Sequence, residues 1–220
     1  MLTVAIPYER MMQRLFILGC GGFGREIAAL LPDHPDFSKA WNFCGFLDRR
    51  TDWKKTPAKY PILGNEDEFD FRADDLMIIA IANGKIKERL YQKLQNKVQF
   101  FTFIHPSVKL LDFTSIGMGS VIYPNCIVST AVSIGKFCTL NAGTQVGHDC
   151  QIGDFCSLMA SVDLGGETVL GNHVFMGTKS MVVPRKFIAD DVNIAAGSVV
   201  MRSIKTPGCT VMGNPAVKFE

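Results

Sequence analysis

An aliphatic residue falls at every sixth position from Ile104 to Val200, and all seventeen members of that series are Ile, Leu, Val or Met. A period of six matches neither the 3.6 of an amphipathic helix nor the alternation of a half-buried strand, so the chain must turn a corner once per repeat. Four residues after each aliphatic runs a second register of small residues, among them Ser120, Cys126, Cys138, Thr144, Cys150 and Cys156, with Lys186 as its one bulky member. One large and one small inward residue per repeat fill a narrow triangular prism, because a short strand sends alternate side chains to opposite faces. On every third repeat the residue after the aliphatic is Gly117, Gly135, Gly153, Gly171 and then Ala189. Three repeats therefore make one coil, and the repeats give between five and six coils, stacked about 4.8 Å apart. The glycines are expected to mark a corner where the backbone takes positive φ.

The residues before the prism read differently. Arg14 to Leu18 is a short apolar run that leads into Gly19-Cys-Gly21-Gly22-Phe23-Gly24, and Arg25 to Leu31 follows with helical spacing up to Pro32. Strand, glycine turn and helix in that order match the dinucleotide fingerprint, and Asp48 closes a second strand, Phe43 to Leu47, where a ribose-binding acid is expected. Leu76 to Ala82 reads as a third strand and Val98 to Phe103 as a fourth. Between them Lys85 to Gln95 reads as a helix with Ile86 and Leu90 inward and Lys87 and Glu88 outward. A complete dinucleotide domain needs about twice this length, so the glycine turn is expected to serve a half-site. Its backbone N–H groups and the start of the helix form an anion site suited to a nucleotide phosphate.

Composition closes off other classes. A net charge of +2 and the lack of any lysine or arginine block give nucleic-acid binding no support. Residues 1–10 lack the charged start and cleavage site of a secretory signal and are expected to be a tail, and no segment approaches a membrane span. A cytoplasmic protein is expected. Seven cysteines form no C-x-x-C pair, and Cys126, Cys138, Cys150 and Cys156 occupy the small inward register. Cys138 and Cys156, eighteen apart, stack on neighbouring coils with parallel Cβ bonds, which suits a thiol ladder and not a disulfide. No metal site is expected.

The combination of motifs resembles one family. Gly19, Gly21, Gly22, Gly24 and Arg25, Pro61-Ile-Leu-Gly64, Ala80-Ile-Ala-Asn83, His105-Pro-Ser107, His148-Asp149-Cys150, Ile152-Gly-Asp-Phe155 and Gly213-Asn-Pro-Ala216 are similar to the bacterial sugar acetyltransferases. That family includes the sialic acid O-acetyltransferases and the N-acetyltransferases of 4-amino sugars on nucleotide carriers. The likeness implies an α/β Rossmann-like domain over residues 12–103 that binds a nucleotide sugar, followed over 104–220 by an all-β left-handed parallel β-helix of hexapeptide repeats.

It further implies acetyl-CoA as the acyl donor and transfer to the amine of a nucleotide-linked sugar in glycan biosynthesis. A homotrimer packed through the prism is expected because an isolated β-helix exposes flat strand faces and an outward His148 needs a second wall. His148 is implied as the base and Asp149 as the acid that raises its basicity, the pairing expected when a carboxylate favours imidazolium and fixes the tautomer. Ser157, Thr178 and Ala196 fall at acetyl-CoA-contacting positions. Gly21, Gly22, Phe23, Asp48, Arg49 and Ala82 fall on the acceptor side. Phe23 and Ser157 stand where many members carry histidine, and Ala82 where many carry glycine. An oxygen acceptor is an alternative; an NAD-dependent oxidoreductase lacks chain for a second nucleotide half, and a silent β-helix scaffold would not need the His148-Asp149 pair.

Overall fold

The computed structural model describes residues 12–50 and 59–219; the expected tail over residues 1–10 lies outside the described residues, as does Glu220. A parallel four-stranded sheet opens the chain. β1 (Gln13–Leu18) leads into α1 (Gly22–Leu30), β2 (Trp41–Leu47) and β3 (Leu76–Ile79) follow, and α2 (Gly84–Leu94) precedes β4 (Gln99–Phe100). The strand order is β2-β1-β3-β4, so the chain steps from β1 to one side and then to the other. Such a switch point leaves a crevice at the carboxyl ends of the strands.

The prism follows without a linker. Seventeen two-residue strands, β5 (Phe103–Ile104) to β21 (Val199–Val200), each end on one member of the aliphatic series. Each up to β18 (Met181–Val182) pairs in parallel with the strand eighteen residues on, as Thr139 with Ser157 and Leu140 with Leu158. Three sheets result, the faces of a left-handed β-helix. The first face carries Phe103, Val121, Thr139, Ser157, Phe175 and Asn193. It is extended at one end by the hairpin of β22 (Thr210–Gly213) and β23 (Ala216–Lys218). Aliphatics from Ile122 to Val200 are buried, whereas Leu110 on the first coil is 41% exposed because no coil lies beneath it. Cys126, Cys138, Cys150 and Cys156 are buried free thiols.

The glycine corner departs from expectation. The positive-φ residue is the third after each aliphatic from Leu110 to Ile194, and it is seldom glycine: Phe137, Asp149, Phe155, Glu167 and His173 all have φ between 53° and 60°. A left-handed non-glycine residue costs roughly 1–2 kcal/mol. Its N–H recovers part of that by donating to a carbonyl of the coil below, as Phe155 to Lys136 at 2.8 Å and Asp149 to Thr130 at 3.0 Å. Gly117, Gly135 and Gly153 serve a different need. A Cβ on Gly153 would lie 2.6 Å from the carbonyl carbon of Gly171 in the next coil, so only glycine lets the coils close at this corner.

A second correction concerns α2, whose Lys87 is 1% exposed although helical spacing puts it outward. Periodicity in the helix counts polar residues as solvated, but here the helix is covered on two sides, by its own sheet and by the prism. Tyr91 packs on Phe137 and Phe155 of the prism, with ring centroids 4.9 and 6.2 Å away. Glu88 pairs with His173 at 3.0 Å. The expected fourth strand, Val98 to Phe103, divides: β4 stays with the first sheet and Phe103 starts the prism. Among the described residues no helix is long and apolar enough to cross a membrane.

Candidate active site

The crevice at the switch point holds a cavity of about 720 Å³, lined by Gly19, Gly21, Asp48 and Arg49 with Glu66 and Arg89. The glycine turn is built by two close approaches. Gly19 has φ +106°, and a Cβ on Gly24 would run into the Gly19 carbonyl, so α1 starts directly against the strand it follows. Gly21 is the N-cap and offers no side-chain acceptor, so the first-turn N–H groups have no side-chain cap.

Asp48 is 6% exposed and accepts hydrogen bonds from the Cys20 N–H at 2.8 Å and from the Arg50 backbone and guanidinium. Burial pushes its carboxyl up, but the bonds from Arg50 and Cys20 outweigh that and hold it below the ordinary carboxylate range. Asp48 therefore fixes the glycine turn as well as lining the cavity. Glu66, likewise buried, is held low against burial by Arg49 and Lys93. Neither Glu66 nor Arg89 was visible as a site residue in the sequence. The stretch after Gly64 reads as a plain surface connection, and Arg89 is one cation among several on an amphipathic helix.

His148 and Asp149 stand on the corner between the second and third faces of the prism, 56% and 58% exposed. The Asp149 carboxylate lies 2.7 Å from Nδ1 of His148. Asp149 is the left-handed residue of its repeat, with φ 60°, a conformation that aspartate tolerates better than most residues. With Nδ1 engaged, Nε2 is the nitrogen left for an external proton. Beneath the ring lies Gly166, eighteen residues on, where a Cβ would come 2.7 Å from that Nε2. Gly166 thus leaves room for the ring, a contact that the sequence did not reveal although its spacing from His148 is the coil period itself.

The remaining candidates separate. Thr178 and Ala196 are exposed and stack on one corner, where the Gly197 N–H donates to the Thr178 carbonyl at 2.9 Å. Ser157 is not with them: it is 1% exposed in the seam between the domains, where its hydroxyl donates to the Ala82 carbonyl at 2.7 Å. The Ser157 hydroxyl is thereby engaged within the chain, by Ala82 and Lys87, and Ala82 joins the same seam. Phe23 stacks on Tyr123 of the prism, with centroids 5.8 Å apart, and Gly22 opens α1 with no atom near its Cα face. Burial pushes the Cys126 thiol up to about 11, so this cysteine is a poor nucleophile.

Residues 14–94 match the PglD N-terminal domain family. GDP-perosamine N-acetyltransferase of Escherichia coli O157:H7 is 35% identical over 147 residues, 64% of this chain and 66% of that relative's own length. WeeI from Acinetobacter baumannii AYE is 29% identical and superposes with a TM-score of 0.84 over 94% of this chain and 100% of that one. The acetyltransferase domain of PglB from Neisseria gonorrhoeae FA1090, solved in complex with acetyl coenzyme A, is 25% identical with a TM-score of 0.81 over the same shares. A PglD N-terminal domain set on a hexapeptide-repeat β-helix is thus an arrangement in which this chain is similar to bacterial sugar acetyltransferases.

Proposed function

We propose that the chain transfers the acetyl group of acetyl-CoA to the amine of a nucleotide-linked amino sugar, in the building of bacterial surface glycans. The observation that carries this is the His148–Asp149 pair at 2.7 Å on an exposed corner. The nucleotide diphosphate sits against the glycine turn in the cavity at the switch point, with Arg89 available to its charge. The sugar amine attacks the thioester carbonyl while Nε2 of His148 takes its proton, and Asp149 stabilises the imidazolium that forms. A backbone N–H steadies the tetrahedral oxyanion; collapse expels the coenzyme A thiolate, which recovers the proton from His148. No covalent enzyme intermediate is involved, in keeping with the buried thiols of the prism.

Incubation with acetyl-CoA and UDP-, GDP- or dTDP-linked 4-amino sugars, read by mass spectrometry, is expected to give an N-acetylated product. Calorimetric titration runs beside it with the same nucleotide sugars and with NAD. Tight NAD binding without nucleotide-sugar binding overturns the proposal in favour of an oxidoreductase, and acetylation of hydroxyl-bearing sugars alone moves it to oxygen.

The working unit we propose is a cytoplasmic homotrimer packed through the prism. His148 stands more than half exposed in the single chain, and a second wall would exclude water from the reacting thioester. Sedimentation equilibrium is expected to return three times the chain mass at micromolar concentration. A monomer at that concentration would remove the second wall.

A further inference from the structure

Lys87 is the one fully buried cation among the described residues, and neither the acceptor cavity nor the catalytic corner uses it. Its ammonium leaves the prism-facing side of α2 and enters the first face of the prism. There it donates to the Phe137 carbonyl at 2.7 Å, to the Cys156 carbonyl at 3.1 Å and to Oγ of Ser157 at 3.0 Å. Three donors meet three acceptors, which is what a buried ammonium requires. Burial pushes its pKa down to about 8. Ser157 passes the connection on, because its hydroxyl donates to the Ala82 carbonyl, one residue before the N-cap of the same helix.

The rest of the seam is as close. A Cβ on Gly84 would lie 2.7 Å from the Phe155 carbonyl, so the start of α2 touches prism backbone. The other side of α2 supplies Ile86, Arg89, Leu90 and Lys93 to the cavity. One short helix is thus both a wall of the acceptor cavity and the part of its domain fastened to the coils.

We infer that Lys87 and Ser157 are a positioning pair that fixes the nucleotide-sugar cavity at one distance and angle from the prism, and so sets how the acceptor amine is presented for acetyl transfer. The inference rests on the proposed acetyltransferase reading. Aromatic packing alone tolerates sliding of one domain over the other, whereas three directed hydrogen bonds from one buried ammonium do not. Oriented presentation is where a small displacement is costly to rate, since the reacting atoms must lie near 3–3.5 Å.

The test uses Lys87→Met, which keeps the apolar stem and removes the donors, and the milder Ser157→Ala, which leaves Lys87 its two carbonyls. With the full chain, Lys87→Met is expected to raise the acceptor KM roughly tenfold and lower kcat several-fold, with the KM for acetyl-CoA unchanged. Ser157→Ala is expected to show the same split at smaller size. Amide hydrogen exchange is expected to quicken in α2 and not in the coils of the prism.

Unchanged acceptor KM in both variants, or a loss of kcat alone that tracks the unfolded fraction, overturns the inference, as does wild-type protection of α2 in Lys87→Met. If Lys87→Met does not fold, Ser157→Ala carries the same readouts. The exchange measurement needs no turnover. A wild-type protein that acetylates no nucleotide-linked sugar therefore sinks the proposed activity, while α2 protection still decides the role of Lys87.

Discussion

Turnover by the His148→Ala variant is expected to fall by roughly 100-fold or more, the usual contribution of a positioned general base, with the fold and coenzyme A binding retained. The ring stands on an exposed corner and packs no core, so its removal leaves no cavity. Two neighbours grade the effect. Asp149→Asn keeps a hydrogen-bonding partner near Nδ1 but withdraws the charge that stabilises imidazolium, and is expected to cost less than His148→Ala. Gly166→Ala inserts a methyl group where Nε2 now lies 2.7 Å away, which must tilt the ring off its platform. Steady-state rates at saturating acceptor and acetyl-CoA decide the matter: wild-type turnover by His148→Ala removes the base assignment.

Gly153→Ala is expected to be strongly destabilising for the prism. The new Cβ would meet the carbonyl carbon and oxygen of Gly171 at 2.6 Å, and both belong to backbone already committed to the next coil. Overpacking against immobile atoms costs about 3 kcal/mol at the upper end of the common range. For a chain of this size that is a fall in melting temperature of roughly 6–12 °C. Gly143→Ala is the control, since Gly143 has φ +70° but its Cβ would find only Oγ of Ser161 at 3.6 Å. It is expected to cost about 1 kcal/mol, as other repeats already hold Asp149 or Phe155 in that conformation. If the two variants melt together, stacking is not what the period-eighteen glycines are for.

That pair of variants also marks where the sequence stopped being informative. The spacing of Ile104 to Val200 made the prism, its three faces and its buried register legible, because inward residues in a repeat obey one geometry regardless of neighbours. The same spacing located Gly153 correctly but assigned it the wrong role, because period alone does not distinguish a corner that needs unusual φ from one that needs no Cβ. The pairing of His148 with Asp149 was legible because the two are adjacent in sequence, while the roles given to them came from the family resemblance.

Lys87 and Ser157 were not legible in that way. Each is polar at a position that faces out of its own element, and only the docking of one domain on the other turns both positions inward. Glu66 and Arg89 were hidden for a related reason, since they reach the cavity from a connection and a helix that carry no motif.

The pairing of each strand up to β18 with the one eighteen residues away has a consequence for how such a chain can change length. Any gain or loss within the coils that is not a whole six-residue repeat puts a small residue where a large one belongs, and one that is not a whole turn moves every later residue to another face of the prism. Whole turns are the permitted step. The acceptor cavity is bolted near Phe137 and Cys156, and the base stands at His148, so the vertical offset between them is quantised in increments of about 4.8 Å. A lineage could reach a longer or shorter acceptor only by jumping a full increment or by reshaping side chains at the rim, with no gradual lengthening in between.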